Sequence, residues 1–89
     1  MDKKIVEWRE KIDEINSKIL DLLNDRMDLV RMIGKRKKKL DIQIRDAGRE
    51  KEIYLRLDKL ADQKGIDREF VREIFKKIID ESIKEEEEQ

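Results

Sequence analysis

The apolar residues of the first forty positions recur with the period of a helix–helix contact, and two positive charges interrupt them. Ten steps of the pattern separate position 5 from position 40, or 3.5 residues per step. The apolar positions are Ile5, Trp8, Ile12, Ile15, Ile19, Leu22, Val30, Ile33 and Leu40. The remaining steps carry Arg26 and Lys37. Because a lone cation between packed helices is costly unless it is paired, the pattern predicts a long helix whose buried face meets an anionic ligand.

The composition predicts a small helical protein that associates. Of 89 residues, 52% are charged and 37% are apolar, which makes a thin core for a monomer. A net charge of zero argues against general affinity for nucleic acids or membranes. The absence of Cys and His excludes thiol catalysis, histidine acid–base chemistry and the usual zinc sites. No apolar run is long enough for a signal peptide or a membrane span, so we expect a cytoplasmic protein.

The helix signals predict an all-α fold with three helices in a single domain spanning 1–89. The predicted helices cover about 2–40, 47–63 and 67–86. Their N-caps are predicted at Asp2, Asp46 and Asp67, and Gly65 suits a C-terminal cap. Gly34 lies inside the first helix, where it costs roughly 1 kcal/mol. Positions 85–88 are four glutamates at the C-terminus of the third helix, where the helix dipole disfavours negative charge. We therefore expect this segment to fray.

The length of the first helix predicts a two-fold symmetric dimer. A helix of this size is about 57 Å long, and an antiparallel copy would complete its apolar stripe. Arg9 lies on the flank of the stripe, about 42 Å along the axis from Lys37. The two side chains of one chain therefore cannot reach one small molecule, but Arg9 of the partner subunit can. The apolar faces of the other helices also turn polar, at Arg49 and Glu50 and again at Ser82 and Glu86, which predicts a charge-lined pocket.

Structural explanations compete with this interpretation. Cations at the edge of a helix contact often extend to solvent and bind nothing. The basic run 35–39 looks like a nucleic-acid patch, but its members point all around the helix, which favours a solvated surface. Arg49 and Glu50 are also ordinary charges for a first helical turn, and Asp46 is primarily a cap.

The same residues carry a family resemblance over nearly the whole chain. The matching segments are Trp8-Arg9-Glu10-Lys11-Ile12-Asp13, Asn24-Asp25-Arg26, Gly34-Lys35-Arg36-Lys37, Arg45-Asp46 with Arg49-Glu50, and Ile78-Ile79-Asp80-Glu81-Ser82. In this order and spacing the chain resembles the all-helical chorismate mutases. The resemblance implies an isomerase of the shikimate pathway of aromatic amino-acid biosynthesis, which rearranges chorismate to prephenate without a cofactor. It also implies an interlaced antiparallel homodimer of three-helix chains.

The resemblance assigns a role to each polar residue of the predicted pocket. Arg26 and Arg9 of the partner subunit would bind the substrate carboxylates, and Lys37 would donate to the ether oxygen as its bond breaks. Glu50 would hold the ring hydroxyl, helped by the backbone at Asp46. Arg49 and Ser82 would assist in binding the carboxylates, or would hold the side chains of the pocket wall in place. Glu86 would be the second donor to the ether oxygen.

The chemistry suits these residue types independently of the resemblance. A pericyclic rearrangement needs no nucleophile, proton transfer or metal. It needs a dianion held in a compact conformation and donors where negative charge grows on the ether oxygen. Arginine suits bidentate binding of carboxylates.

Glu86 departs from the family pattern, because bacterial relatives usually carry Gln there. An ionised carboxylate cannot donate a hydrogen bond, so we expect Glu86 to act as the neutral acid, against the opposing effect of the nearby Lys37. A shift of one turn in the frayed end would instead bring Gln89 to this position. Two alternatives remain open at this point: an isochorismate pyruvate-lyase on the same scaffold, and a non-catalytic helical module for dimerisation or regulation.

Overall fold

The computed structural model describes residues 2–89 as three α-helices joined by short connections. They are α1 (Lys3–Lys39), α2 (Ala47–Lys64) and α3 (Arg68–Glu87), and no strand occurs within the described range. Each helix begins and ends within one residue of its predicted bounds. Met1, which the predicted domain includes, lies outside the described residues.

Local capping explains where the helices begin. The three predicted N-cap aspartates each accept a hydrogen bond from the backbone N–H three residues later, at 3.1, 3.0 and 2.9 Å. This contact satisfies one of the N–H groups that the first helical turn leaves unpaired. Gly65 ends α2 in the left-handed conformation with φ of 69°, which glycine adopts without steric cost.

The expected fraying of the glutamate run is wrong, since α3 remains helical through Glu87. Two cations of α1 lie beside this end of α3. The guanidinium of Arg31 donates to the Glu85 carboxylate at 3.1 Å, and the ammonium of Lys38 donates to the Gln89 carbonyl at 3.0 Å. Positive charge at a helix C-terminus stabilises the dipole, and these two residues supply it from the neighbouring helix.

Helix α3 is the centre of the fold, because it packs against both α1 and α2. Within residues 2–89, the Cα atoms of α1 and α2 do not come within 8 Å of each other. The Cα trace extends 57 × 26 × 15 Å, and its longest dimension runs along α1. Every residue from 2 to 22 is exposed. The first half of α1 therefore projects away from α2 and α3, and the second half forms one wall of the space between them.

The chain on its own buries very little apolar surface. Among residues 2–89, the buried apolar side chains are Val30, Ala61 and Ile79. On the first half of α1, eight large apolar side chains are 38–67% exposed: Ile5, Val6, Trp8, Ile12, Ile15, Ile19, Leu20 and Leu22. On α3, Ile74 is 42% exposed. In the described part of the chain, no helix combines the length and hydropathy needed to cross a membrane.

Candidate active site

The three helices enclose a cavity of about 260 Å³ that is partly open to solvent. Helix α1 supplies one wall, the start of α2 faces it, and the end of α3 forms the floor. Its lining consists of Arg26, Val30, Ile33, Lys37, Ile44, Asp46, Arg49, Glu50, Ile53, Ile79, Ser82, Ile83 and Glu86. Seven of the eight predicted site residues are in this set, so the fold brings together side chains that are up to 60 positions apart in the sequence.

Lys37 is held from two sides. Its Nζ donates to the carbonyl oxygen of Ile44 at 2.6 Å and lies 2.9 Å from Oε1 of Glu86. An ammonium group has three protons, so at least one remains for a ligand. Ile44 is a lining residue that sequence analysis missed. No local signal marks it, because the direction of a loop carbonyl depends on how the connection between α1 and α2 folds.

Glu86 is almost completely buried, with its side chain 8% exposed. Its Oε1 is buried and is the one such side-chain atom in residues 2–89 without a hydrogen-bond partner. The Lys37 ammonium is close enough for an ion pair but is not aligned for a hydrogen bond. Since buried polar atoms normally have partners, this oxygen has hydrogen-bonding capacity that a bound ligand can use.

Arg26 is oriented by a hydroxyl group and makes no ion pair within residues 2–89. Its Nη1 donates to Oγ of Ser82, and that hydroxyl in turn donates to the carbonyl oxygen of Ile78 at 2.7 Å. Burial lowers the pKa of Arg26 below its ordinary value, the Arg49 guanidinium lowers it further, and the Glu86 carboxylate opposes both effects. The guanidinium is thus fixed in place without an ion pair in the described residues.

The start of α2 supplies the opposite wall. Asp46 uses its carboxylate to cap the helix, accepting from the backbone N–H of Arg49 at 3.0 Å, and its carbonyl oxygen accepts from the backbone N–H of Glu50 at 3.0 Å. The Arg49 guanidinium donates to Glu52 on the same helix. Glu50 is partly buried, with its side chain 22% exposed and Oε1 3.9 Å from the Arg45 guanidinium.

Arg9 is the one predicted site residue that does not line the cavity. It lies seventeen positions before Arg26 on the same helix, a separation of about 26 Å at the helical rise. The Arg9 of this chain therefore cannot reach a molecule bound between Arg26 and Lys37.

The assembled site can bind an anion and donate hydrogen bonds. Its polar atoms are guanidinium, ammonium and carboxyl groups with one hydroxyl, and that hydroxyl is engaged in two hydrogen bonds. Six aliphatic side chains complete the lining, which lowers the local dielectric and strengthens interactions between charges. This arrangement suits the stabilisation of charge that develops within one bound molecule.

Comparisons with known proteins agree with these features. The sequence profile of the family described as chorismate mutase type II matches residues 8–87. The chain is 40% identical over 80 residues to a chorismate mutase from Methanocaldococcus jannaschii, covering 90% of this chain and 81% of that protein. It is 30% identical over 82 residues to the bifunctional chorismate mutase/prephenate dehydratase of Escherichia coli, covering 92% of this chain but only 21% of that protein.

A solved structure has the same fold. A conserved hypothetical protein from Pyrococcus furiosus superimposes with a TM-score of 0.79 at 32% identity, covering 97% of this chain and 99% of that one. The family profile spans nearly the entire sequence, and the Methanocaldococcus relative matches over most of its own length. The chain therefore belongs to the type II chorismate mutase family.

Proposed function

We propose that this chain is a chorismate mutase, an isomerase that converts chorismate to prephenate in the cytoplasm. The observation that carries the proposal is the Lys37–Glu86 pair at the floor of the cavity. In this rearrangement the ether C–O bond breaks while a new C–C bond forms within the same molecule, and negative charge grows on the ether oxygen. Because Nζ of Lys37 and Oε1 of Glu86 are 2.9 Å apart, one substrate oxygen can contact both groups.

The other polar residues hold the substrate in the reactive conformation. Arg26, oriented by Ser82, binds one carboxylate, with Arg49 lending positive charge nearby. Glu50 and the backbone at Asp46 hold the ring hydroxyl. The aliphatic lining excludes water and favours a compact conformer, which supplies the proximity on which an intramolecular reaction depends. No cofactor is needed for this chemistry.

The second carboxylate is bound by Arg9 of the partner subunit, in an interlaced antiparallel homodimer in which each chain forms a single helical domain. Support comes from the first half of α1, where every residue is exposed and eight large apolar side chains are uncovered. An antiparallel copy buries this stripe and carries its own Arg9 toward the cavity. Two equal sites per dimer follow.

The charge of the site then matches that of the substrate. Three cations and three carboxylates line the cavity in one chain. Arg9 of the partner subunit adds a fourth cation. If Glu86 carries a proton and donates it in a hydrogen bond, two positive charges remain in excess, which balances a dicarboxylate. This balance supports Glu86 as a neutral donor.

Product identification tests the function. Purified protein is incubated with chorismate and, separately, with isochorismate, and the product is identified by chromatography and mass spectrometry, with Lys37→Ala as the control for contaminating host enzyme. We expect prephenate from the parent and none from the variant. Pyruvate and an aromatic acid from isochorismate would instead identify a lyase on the same scaffold. If neither compound is converted, the chain is a non-catalytic dimerisation module.

A further inference from the structure

Helices α1 and α3 approach each other unusually closely at Gly34. A Cβ atom at this position would lie 2.8 Å from the Cα of Glu86 and 2.9 Å from its carbonyl oxygen. Carbon atoms in contact are normally about 3.5–4.0 Å apart. Both atoms belong to the backbone of α3, so no rotation of a side chain relieves the overlap. Any residue other than glycine must push the last turn of α3 away from α1.

This contact lies directly beside the two proposed donors. Gly34 precedes Lys37 by three residues, so the two positions share one face of α1. The backbone that touches Gly34 is that of Glu86, whose carboxyl group meets the Lys37 ammonium at 2.9 Å. The separation of the two donors therefore depends on how closely the helices pack at position 34.

Polar contacts on either side of Gly34 hold the last turn of α3 against α1. Arg31 donates to Glu85 at 3.1 Å, and Lys38 donates to the carbonyl of Gln89 at 3.0 Å. These contacts draw the helices together, and the absence of a side chain at Gly34 decides how close they come.

We propose that Gly34 is a positioning residue for the reaction: by lacking a side chain, it lets the backbone of Glu86 rest on α1 and so fixes the Lys37 and Glu86 donors at the spacing that one ether oxygen requires. The inference rests on the proposed function. It accounts for a glycine in the middle of a long helix, where helix propensity favours alanine.

The test compares Gly34→Ala with Gly48→Ala, a matched substitution in the first turn of α2. A Cβ at Gly48 meets nothing closer than the Asp46 carboxylate at 3.4 Å. An alanine at 34 must move α3 by about 0.7 Å to restore ordinary contact. We expect Gly34→Ala to lower kcat at least about tenfold with a smaller change in KM, since sub-ångström misplacement of reacting groups is costly. Gly48→Ala should retain the parent kcat.

A double-mutant cycle shows whether Gly34 acts through Glu86. In a Glu86→Ala background the second donor is already lost, so Gly34→Ala should lower kcat less than about twofold further. A general loss of folding would lower activity equally in both backgrounds. Equal losses in the two backgrounds, or a Gly34→Ala enzyme with the parent kcat, would overturn the inference.

A crystal structure of Gly34→Ala provides a measurement that does not depend on turnover. We expect the Lys37 Nζ to Glu86 Oε1 distance to exceed 2.9 Å, and an unchanged distance would overturn the inference even if the protein fails to act on chorismate. Should Gly34→Ala alone prevent folding, the same substitution is made with Arg31→Ala and Lys38→Ala, which release the last turn of α3. That combination should fold and remain slow, and the parent kcat in it would contradict the proposal.

Discussion

Arg26 is partly buried, yet its hydrogen-bond partner in the chain is the hydroxyl of Ser82 and not a carboxylate. A hydroxyl group fixes the direction of the guanidinium without neutralising it. Burial and the Arg49 guanidinium lower the pKa of Arg26, which means that the folded chain disfavours its charge. A residue held in this way contributes to ligand binding at a cost in stability.

Replacing Arg26 separates these two effects. We expect Arg26→Leu to lower kcat/KM at least about a hundredfold, because one substrate carboxylate loses its partner, while Tm stays the same or rises. Steady-state kinetics and thermal denaturation measure the two outcomes. Arg56→Leu, the same change at a 74% exposed position of α2, should leave kcat/KM at the parent value. Early unfolding of Arg26→Leu would mean that Arg26 is a structural residue.

Glu86 must carry a proton to donate a hydrogen bond, whereas the amide of glutamine donates at every pH. We therefore expect Glu86→Gln, which keeps a donor at this position, to have at least the parent kcat/KM at neutral pH, and Glu86→Ala to lose at least about tenfold. Glu87→Gln, one residue later and outside the cavity lining, should keep the parent kcat/KM. Collapse of the Glu86→Gln enzyme at neutral pH would contradict the neutral-acid role.

The helices could be predicted from the sequence because their signals are local. An aspartate before each helix and Gly65 after α2 act within a single turn, and the 3.5-residue stripe identifies α1 without knowledge of its partner. Most of the polar side chains of the cavity could be predicted because they interrupt or flank apolar faces. Two features were not: the Ile44 carbonyl that holds Lys37, and the packing of α3 on Gly34. Both depend on distances between elements, which no single segment encodes.

The contact between α2 and α3 includes an ion pair that makes stability depend on pH. Arg72 on α3 donates to both carboxylate oxygens of Asp58 on α2, at 2.9 and 2.7 Å. The hydrogen bonds from Arg72 lower the pKa of Asp58 in the folded chain. A carboxyl group with a lowered folded pKa contributes its full stability above the unfolded pKa, and the contribution is lost as the pH falls through the folded value.

We expect Asp58→Asn to lower Tm by a few degrees near neutral pH and to match the parent in strong acid, where the parent's carboxyl is protonated as well. Thermal denaturation followed by circular dichroism across this range measures the difference. Glu73→Gln, a change at an exposed position of α3, should follow the parent throughout. A constant Tm difference between Asp58→Asn and the parent at every pH would show that the ion pair contributes nothing through its charge.

At the scale of the whole molecule, the uncovered face of α1 is what the proposed homodimer would bury. The first half of α1 presents uncovered apolar side chains, and the cavity lies beside the second half. One long helix can therefore pack on its copy and deliver a residue to the other active site at the same time. In this arrangement the loss of the dimer removes Arg9 of the partner subunit from the site, so stability and activity depend on the same interface.

Mixed dimers test the exchange of Arg9. An Arg9→Ala chain keeps an intact cavity but delivers no arginine, whereas a Lys37→Ala chain delivers Arg9 but has a defective cavity. Each variant alone should be nearly inactive. When the two are unfolded and refolded together in equal amounts, half of the dimers are mixed and one of their two sites is complete. We therefore expect about a quarter of the parent activity. Two separately refolded variants mixed without chain exchange are the control. No recovery after joint refolding into dimers would show that Arg9 does not act across the interface.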